Sequence, residues 1–150
     1  MGIEKDINQS KFRNEYQKSI INLIYTYNWM TEQLKKEMEA FGLTMQQFNI
    51  LRILRGSETP LSTLQIRERM LDKMSDTSRI VDRLIIKGLV KKMTCKTDKR
   101  LVDVIITDKG KKLLGQIDGQ EERMDNILNT LSLPEAKSLN KLLDKIRQSD

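Results

Sequence analysis

The chain of 150 residues contains no histidine and a single cysteine. Without His, with one Cys and without a glycine-rich phosphate loop, the usual nucleophile, general-base and cofactor signatures are missing. The carboxylates are plentiful but spread over helix surfaces. The expectation is therefore a protein that is not an enzyme and needs no cofactor or metal. One Cys cannot close an internal disulfide, which suits a reducing interior. Only two Pro and seven Gly argue against linkers, low complexity and a large sheet full of tight turns. No apolar run exceeds a few residues, so no membrane span is expected. The opening MGIEKDINQS has no apolar signal-peptide core, and Asp6 spoils the myristoylation pattern. These absences predict a single cytoplasmic domain, residues 1–150, long enough to bury a real core.

What is present is charge, and it is unevenly placed. The composition is 38% hydrophobic and 32% charged, with a net charge of +6. Residues 75–112 hold 11 Lys or Arg and 5 Asp or Glu, whereas the rest of the chain holds 16 of each sign. The whole excess thus sits in one quarter of the sequence. A concentrated basic field points to a polyanion such as nucleic acid or an anionic membrane surface. A solvated charged face would explain a single run, but it explains a confined excess less well.

Hydrophobic periodicity predicts a mainly helical chain. Phe12, Tyr16, Ile20, Leu23, Tyr27, Met30, Leu34, Met38 and Phe41 recur at steps of three and four, within about 40° of one line on a helix. Gly42 is a plausible stop. Ile21, Tyr25 and Trp29 make a second stripe on roughly the opposite side, which predicts burial on two sides, the second against another subunit. Thr44 with Gln47 reads as a capping box for a helix bearing Phe48, Leu51 and Leu54. Ser62 with Gln65 repeats it for one bearing Ile66, Met70 and Leu71. Ser75 is an N-cap candidate for a third short helix running to Gly88. Then come "LVKKMTC", a basic loop and the period-two "LVDVII". Thr107 is expected to open a long helix through Leu113, Ile117, Met124, Ile127 and Leu131. Ser132 with Glu135 caps a last one carrying Leu139, Leu142, Leu143 and Ile146.

Three short helices followed by a hairpin is the order of a winged helix-turn-helix, in which the third helix enters the DNA major groove. The fold class is therefore mainly α (α+β), with one small hairpin wing. On the third helix Ile80, Val81, Leu84 and Ile85 form the inward stripe, with Thr77 near it. Ser75, Arg79, Asp82 and Arg83 face outward, with Asp76 and Lys87 at the edge. Ile86 also falls outward and is expected to pack against the hairpin base. Arg can contact guanine in bidentate fashion, while Ser, Thr and backbone N–H groups can hold phosphates. The tip, Lys96, Thr97, Asp98, Lys99 and Arg100, suits a phosphate backbone or a narrow minor groove. Asp98 can hold the Arg100 guanidinium in one rotamer across the loop. A solvated turn would also use Asp, but the surrounding order favours a wing.

The stretches "LTMQQFNILRIL", "SDTSRIVDRLIIKGLVKK", "TDKRLVDVIITDKGKKLL" and "LSLPEAKSLNKLLDKI" resemble the MarR (multiple antibiotic resistance regulator) family from about Tyr16 onward. The D-x-R wing followed by T-x-x-G, here Asp98, Arg100, Thr107 and Gly110, is the most specific part. The resemblance implies an obligate homodimer on a pseudo-palindromic site in double-stranded promoter DNA, usually a repressor released by a small ligand or by oxidation. It implies a winged lobe over residues 44–107 and dimerisation helices over 10–41 and 108–148. Ile21, Tyr25 and Trp29 would dimerise with Leu139, Leu142, Leu143 and Ile146. Major-groove contacts would fall to Ser75, Asp76, Thr77, Ser78, Arg79 and Arg83. Lys96, Lys99 and Arg100 would serve the wing, with Asp98 orienting Arg100. An effector crevice could be lined by Tyr25, Tyr27, Trp29 and Arg52. There is no Cys near the start of the first helix, where some members sense peroxide, and Cys95 is expected to be a semi-buried strand residue. The absence of His sets aside a zinc-responsive subgroup. The alternative reading is a winged-helix protein–protein module whose basic hairpin meets an acidic partner. Arg79 and Arg83 favour DNA over it.

Overall fold

A computed structural model describes residues 2–94, 96–98 and 100–148. The chain runs α1 (Ile3–Asp6), α2 (Glu15–Glu39), α3 (Met45–Arg55), β1 (Leu61–Ser62), α4 (Thr63–Arg69), α5 (Thr77–Ile86), β2 (Val90–Thr94), β3 (Val102–Ile106), α6 (Asp108–Asp118), α7 (Glu121–Asp125), a 3-10 turn (Asn126–Leu128) and α8 (Leu133–Arg147). It is mainly α, with one antiparallel sheet in the order β1-β3-β2. The hairpin pairs Val90 with Ile106 through to Thr94 with Val102. The short β1, not foreseen from sequence, adds Leu61 opposite Val104.

The helix starts are fixed locally. Thr44, Ser62 and Ser132 each close a reciprocal capping box with Gln47, Gln65 and Glu135, which satisfies backbone donors that the first turn leaves unpaired. Gly42 and Gly88 take φ of 69° and 73° at the ends of α2 and α5, a left-handed conformation that costs glycine little.

The core joins α3, α4, α5, β3 and α6. Ile50, Leu51, Ile66, Val81, Leu84, Val104 and Leu114 are fully buried and share one cluster. Each contributes roughly 1.5–3 kcal/mol of burial, enough for neighbouring short helices to hold one another. Arg55 and Asp118 add a two-pronged ion pair between α3 and α6, Nη1 to Oδ2 at 2.5 Å and Nη2 to Oδ1 at 3.2 Å.

Several expectations are corrected. Ser75 is not the cap of α5. Its hydroxyl donates to the Asp72 carbonyl at 2.7 Å, and Asp76 caps instead, accepting the Arg79 N–H at 3.2 Å. The long helix from Thr107 stops at Asp118, where Gly119 and Gln120, the latter at φ −123°, turn the chain into the separate α7. Glycine is the poorest helix former after proline. Leu71 lies beyond α4 and is exposed rather than on an inward face. Phe12 precedes α2, and Met38 is the buried side chain within it. At 1.5 Å per residue α2 is roughly 38 Å long, so its first half runs past the lobe it packs on. Tyr16, Ile20, Ile24 and Tyr27 are exposed there, and so are Tyr25 and Trp29 of the second stripe. Ile21 is half-buried. Among the described residues α8 fully buries no side chain: Leu139 and Leu143 are half-buried, Leu142 and Ile146 exposed.

Candidate nucleic-acid interface

α5 turns one face to the core and one to solvent. Val81 and Leu84 are fully buried, Ile80 and Ile85 half-buried. Ser78, Arg79, Asp82 and Arg83 are exposed on the other side, and Ser75 and Asp76 stand at the helix start. Asp76 does two things there: it caps the helix and lies 3.8 Å from Arg79 Nε. Asp82 would place a negative charge on a basic face, but Lys92 on β2 meets it at 3.1 Å. That pair also ties the hairpin to α5.

Thr77 lies on the inward side, near the stripe where the helical periodicity puts it, and not among the groove contacts that the resemblance implied. It is 3% exposed, and its hydroxyl has no hydrogen-bond partner among the described residues. A side chain facing the core cannot reach a base edge. Ile86 is 85% exposed rather than packed on the hairpin base. Lys87 turns back to the α2–α3 junction, where its ammonium donates to the Gly42 carbonyl and to Gln47 Oε1.

The hairpin tip carries a local clamp. Arg100 Nε donates to Asp98 Oδ1 at 3.1 Å and Nη2 to Oδ2 at 3.2 Å. The backbone N–H of Arg100 also donates to Oδ1, at 3.0 Å. The Arg100 guanidinium, and then its N–H, hold the Asp98 carboxyl below its usual pKa. The Arg100 side chain is nevertheless 90% exposed, so it is oriented without being covered. Lys96 is exposed. Lys99 and Cys95, for which roles were expected, lie outside the described residues.

Thr107 and Gly110 anchor the base of the wing. The Thr107 hydroxyl donates to the Gly88 carbonyl at 2.7 Å and accepts the Gly110 N–H at 3.2 Å. Its own N–H donates to the Leu89 carbonyl at 3.0 Å. A Cβ at Gly110 would drive into the Leu89 carbonyl oxygen and stand 2.7 Å from Ile106 Cγ1. The T-x-x-G pattern thus locks α6 onto the strand that leaves α5, a role the sequence spacing alone did not disclose.

The four residues expected at an effector crevice do not line one cavity of the single chain. Trp29 lines a cavity of about 400 Å³ with Gln33, Glu37, Arg123, Asn126, Ile127, Asn129 and Thr130. Tyr25, Tyr27 and Arg52 do not line it, and Arg52 instead lies over the Phe48 ring, 5.6 Å from its centroid. A larger groove, about 540 Å³, opens between Phe41–Leu43, the end of α5 and α6.

Capped short helices, two outward arginines on α5 and a clamped arginine on a wing define a winged-helix DNA-binding transcription regulator. The MarR family model matches residues 43–102. The chain is 31% identical to a MarR transcription factor from Planctomyces limnophilus, covering 89% of this chain and 98% of that one, with a TM-score of 0.67. It is 29% identical over 120 residues to the HTH-type transcriptional regulator PecS of Dickeya dadantii, 77% of this chain and 71% of that protein. A mutant MarR from E. coli complexed with operator DNA shares the fold at 22% identity and a TM-score of 0.79, with 91% and 99% of the two chains covered. The chain belongs to the MarR family. These relatives are transcription regulators, not enzymes.

Proposed function

We propose that the chain acts in the cytoplasm as a homodimeric repressor that holds a pseudo-palindromic promoter site and leaves it when a small effector binds. In this reading residues 44–107 form the DNA-binding lobe, and residues 10–41 and 108–148 the dimerising helices. Ser75, Ser78, Arg79 and Arg83 meet the major groove, Asp76 presents the helix start, and Thr77 supports α5 from the core side. Arg100, oriented by Asp98 and flanked by Lys96 and Lys99, enters the minor groove. The observation that carries the proposal is a solvent-facing Arg79 and Arg83 on one helix combined with an exposed but clamped Arg100. The exposed apolar faces of α2 and α8 support the dimer. For the effector, the groove beside Phe41, Ile86 and Lys109 is the better candidate than the aromatics of α2, because it touches the end of α5. Among the described residues no helix is long and apolar enough to cross a membrane.

The test is footprinting on fragments that the pure protein selects from genomic DNA. Two protected half-sites should appear about 10 base pairs apart, or a multiple of that. Arg79→Ala or Arg83→Ala should cost about 1–3 kcal/mol on the selected site and much less on random duplex, since a bidentate guanine contact discriminates and a phosphate contact does not. A single unrepeated half-site would refute the dimeric arrangement. Equal losses on both DNAs would reduce the two arginines to phosphate holders.

A further inference from the structure

The turn joining α4 to α5 has a well-tied backbone and buries Met70, yet presents its other two large apolar side chains to solvent. The Leu71 N–H donates to Asn49 Oδ1 on α3 at 2.9 Å, and the Met74 N–H donates to Asp72 Oδ1 at 2.9 Å. The Ser75 hydroxyl donates to the Asp72 carbonyl at 2.7 Å, and the Lys73 ammonium to the Glu68 carbonyl. Within this frame Leu71 is 86% and Met74 93% exposed. Large apolar groups held out in water by an ordered backbone mark a contact surface, whereas scattered exposed leucines need no explanation. Met74 precedes the Asp76 cap by two residues, so it stands at the end of α5 that carries Ser75, Ser78 and Arg79. Methionine is unbranched and adaptable, suited to covering a small irregular apolar feature.

The major groove offers one such feature among its donors and acceptors, the C5-methyl group of thymine. A second copy of this chain is a poor occupant, because the excess positive charge of residues 75–112 would face itself. We propose that Met74, with Leu71 beside it on the turn, reads thymine methyl groups at the edge of each half-site. The proposal rests on α5 entering the major groove, as argued above, and adds apolar specificity to a face so far described only by its polar groups.

The test uses a fragment that wild-type protein retains from genomic DNA, synthesised once with thymine and once with uracil, which lacks only the C5-methyl. Wild type should bind the uracil form about fourfold more weakly per methyl contacted, and roughly 15-fold across two half-sites. Met74→Gln keeps the length of the side chain but not its apolar end. It should lose affinity on the thymine form by that factor and bind both forms alike, while Met74→Leu should keep the preference. A thymine preference unchanged in both Met74→Gln and Leu71→Gln overturns the inference and leaves the DNA-reading helix intact. So does a wild type indifferent to the methyl. Weaker self-association of Met74→Gln in sedimentation, with DNA affinity unchanged, would assign the patch to a second copy and also overturn it. If wild type retains no fragment over bulk DNA, the inference falls together with the helix reading, and that outcome is distinct from the others.

Discussion

Arg100 is almost wholly exposed, yet three hydrogen bonds run from it to one carboxylate. Two effects of Asp98 on DNA affinity oppose each other. Its negative charge repels phosphate, by about 1 kcal/mol at 4 Å in water and less in salt. Its hydrogen bonds pre-order an arginine whose rotamer freedom is worth about 2 kcal/mol. Ordering should win. Asp98→Ala is therefore expected to weaken binding, and in a double-mutant cycle its effect should reverse to a slight tightening once Arg100 is alanine, because only the repulsion then remains. Titrating wild type, both single variants and the double variant on the selected site checks this. Tighter binding by Asp98→Ala, with simple additivity, would contradict the clamp. The sign of the pH effect follows from the lowered pKa: the ordered wing persists above the usual carboxylate range and is lost only as the pH falls through Asp98's depressed value. The difference between wild type and Asp98→Ala should thus be flat near neutrality. This clamp could be read in the sequence because its partners are two residues apart and both chemistries are visible in the letters.

At the scale of the element, local signals were legible and distant ones were not. The three capping boxes were readable because each closes within four residues. The start of α5 was misplaced by one residue because Ser75 and Asp76 both suit a cap, and the choice falls to Asp72, which claims the Ser75 hydroxyl. β1 is two residues long and exists only through its pairing with β3 across the lobe, so no period could disclose it. The resemblance makes Thr77 a groove contact, but the periodicity of α5 sets it near the inward stripe, and there it is buried. A buried hydroxyl without a partner costs about 1–3 kcal/mol. Thr77→Val, of nearly equal shape, should raise folding stability by about 1 kcal/mol in denaturant titration and leave DNA affinity unchanged. An affinity loss without a stability gain would return Thr77 to the interface. Gly110 gives the converse case. Alanine in the first turn of α6 would gain under about 1 kcal/mol in helix propensity, but its Cβ collides with the Leu89 carbonyl, a backbone atom that Thr107 also holds. Overpacking typically costs about 1–3 kcal/mol, so Gly110→Ala should be net destabilising and should loosen the wing. A variant of unchanged thermal midpoint would show that the α6–strand contact can shift.

At the scale of the whole molecule, the decisive feature is what the single chain leaves uncovered. Ile20, Ile24 and Tyr27 on α2 and Leu142 on α8 are each between 57% and 60% exposed. The sequence suggested one stripe of α2 for the domain and one for a partner. The lobe instead covers the C-terminal end of α2, so both stripes of its first half are open apart from the half-buried Ile21. Exposed apolar area on this scale marks an interaction surface, and a two-fold axis lets one patch cover its own copy. The same symmetry would set two α5 helices against one duplex, coupling dimerisation to DNA affinity. If each lobe binds weakly alone, joining two raises affinity on the order of 10²- to 10⁴-fold without any new contact. A charge placed in the patch separates the two levels, because it touches the interface and not the lobe core. Ile20→Asp and Leu142→Asp should each sediment as a monomer at micromolar concentration where wild type is dimeric. The helical circular dichroism of the winged lobe should persist, and affinity for the full site should fall by roughly the joining factor above, while affinity for an isolated half-site stays unchanged. If wild type itself sediments as a monomer, the dimer is wrong and the apolar helices serve some other partner. If both variants remain dimeric, the two-fold interface lies elsewhere on the chain. If they become monomeric yet hold the full site as tightly as wild type, each lobe reads its site alone.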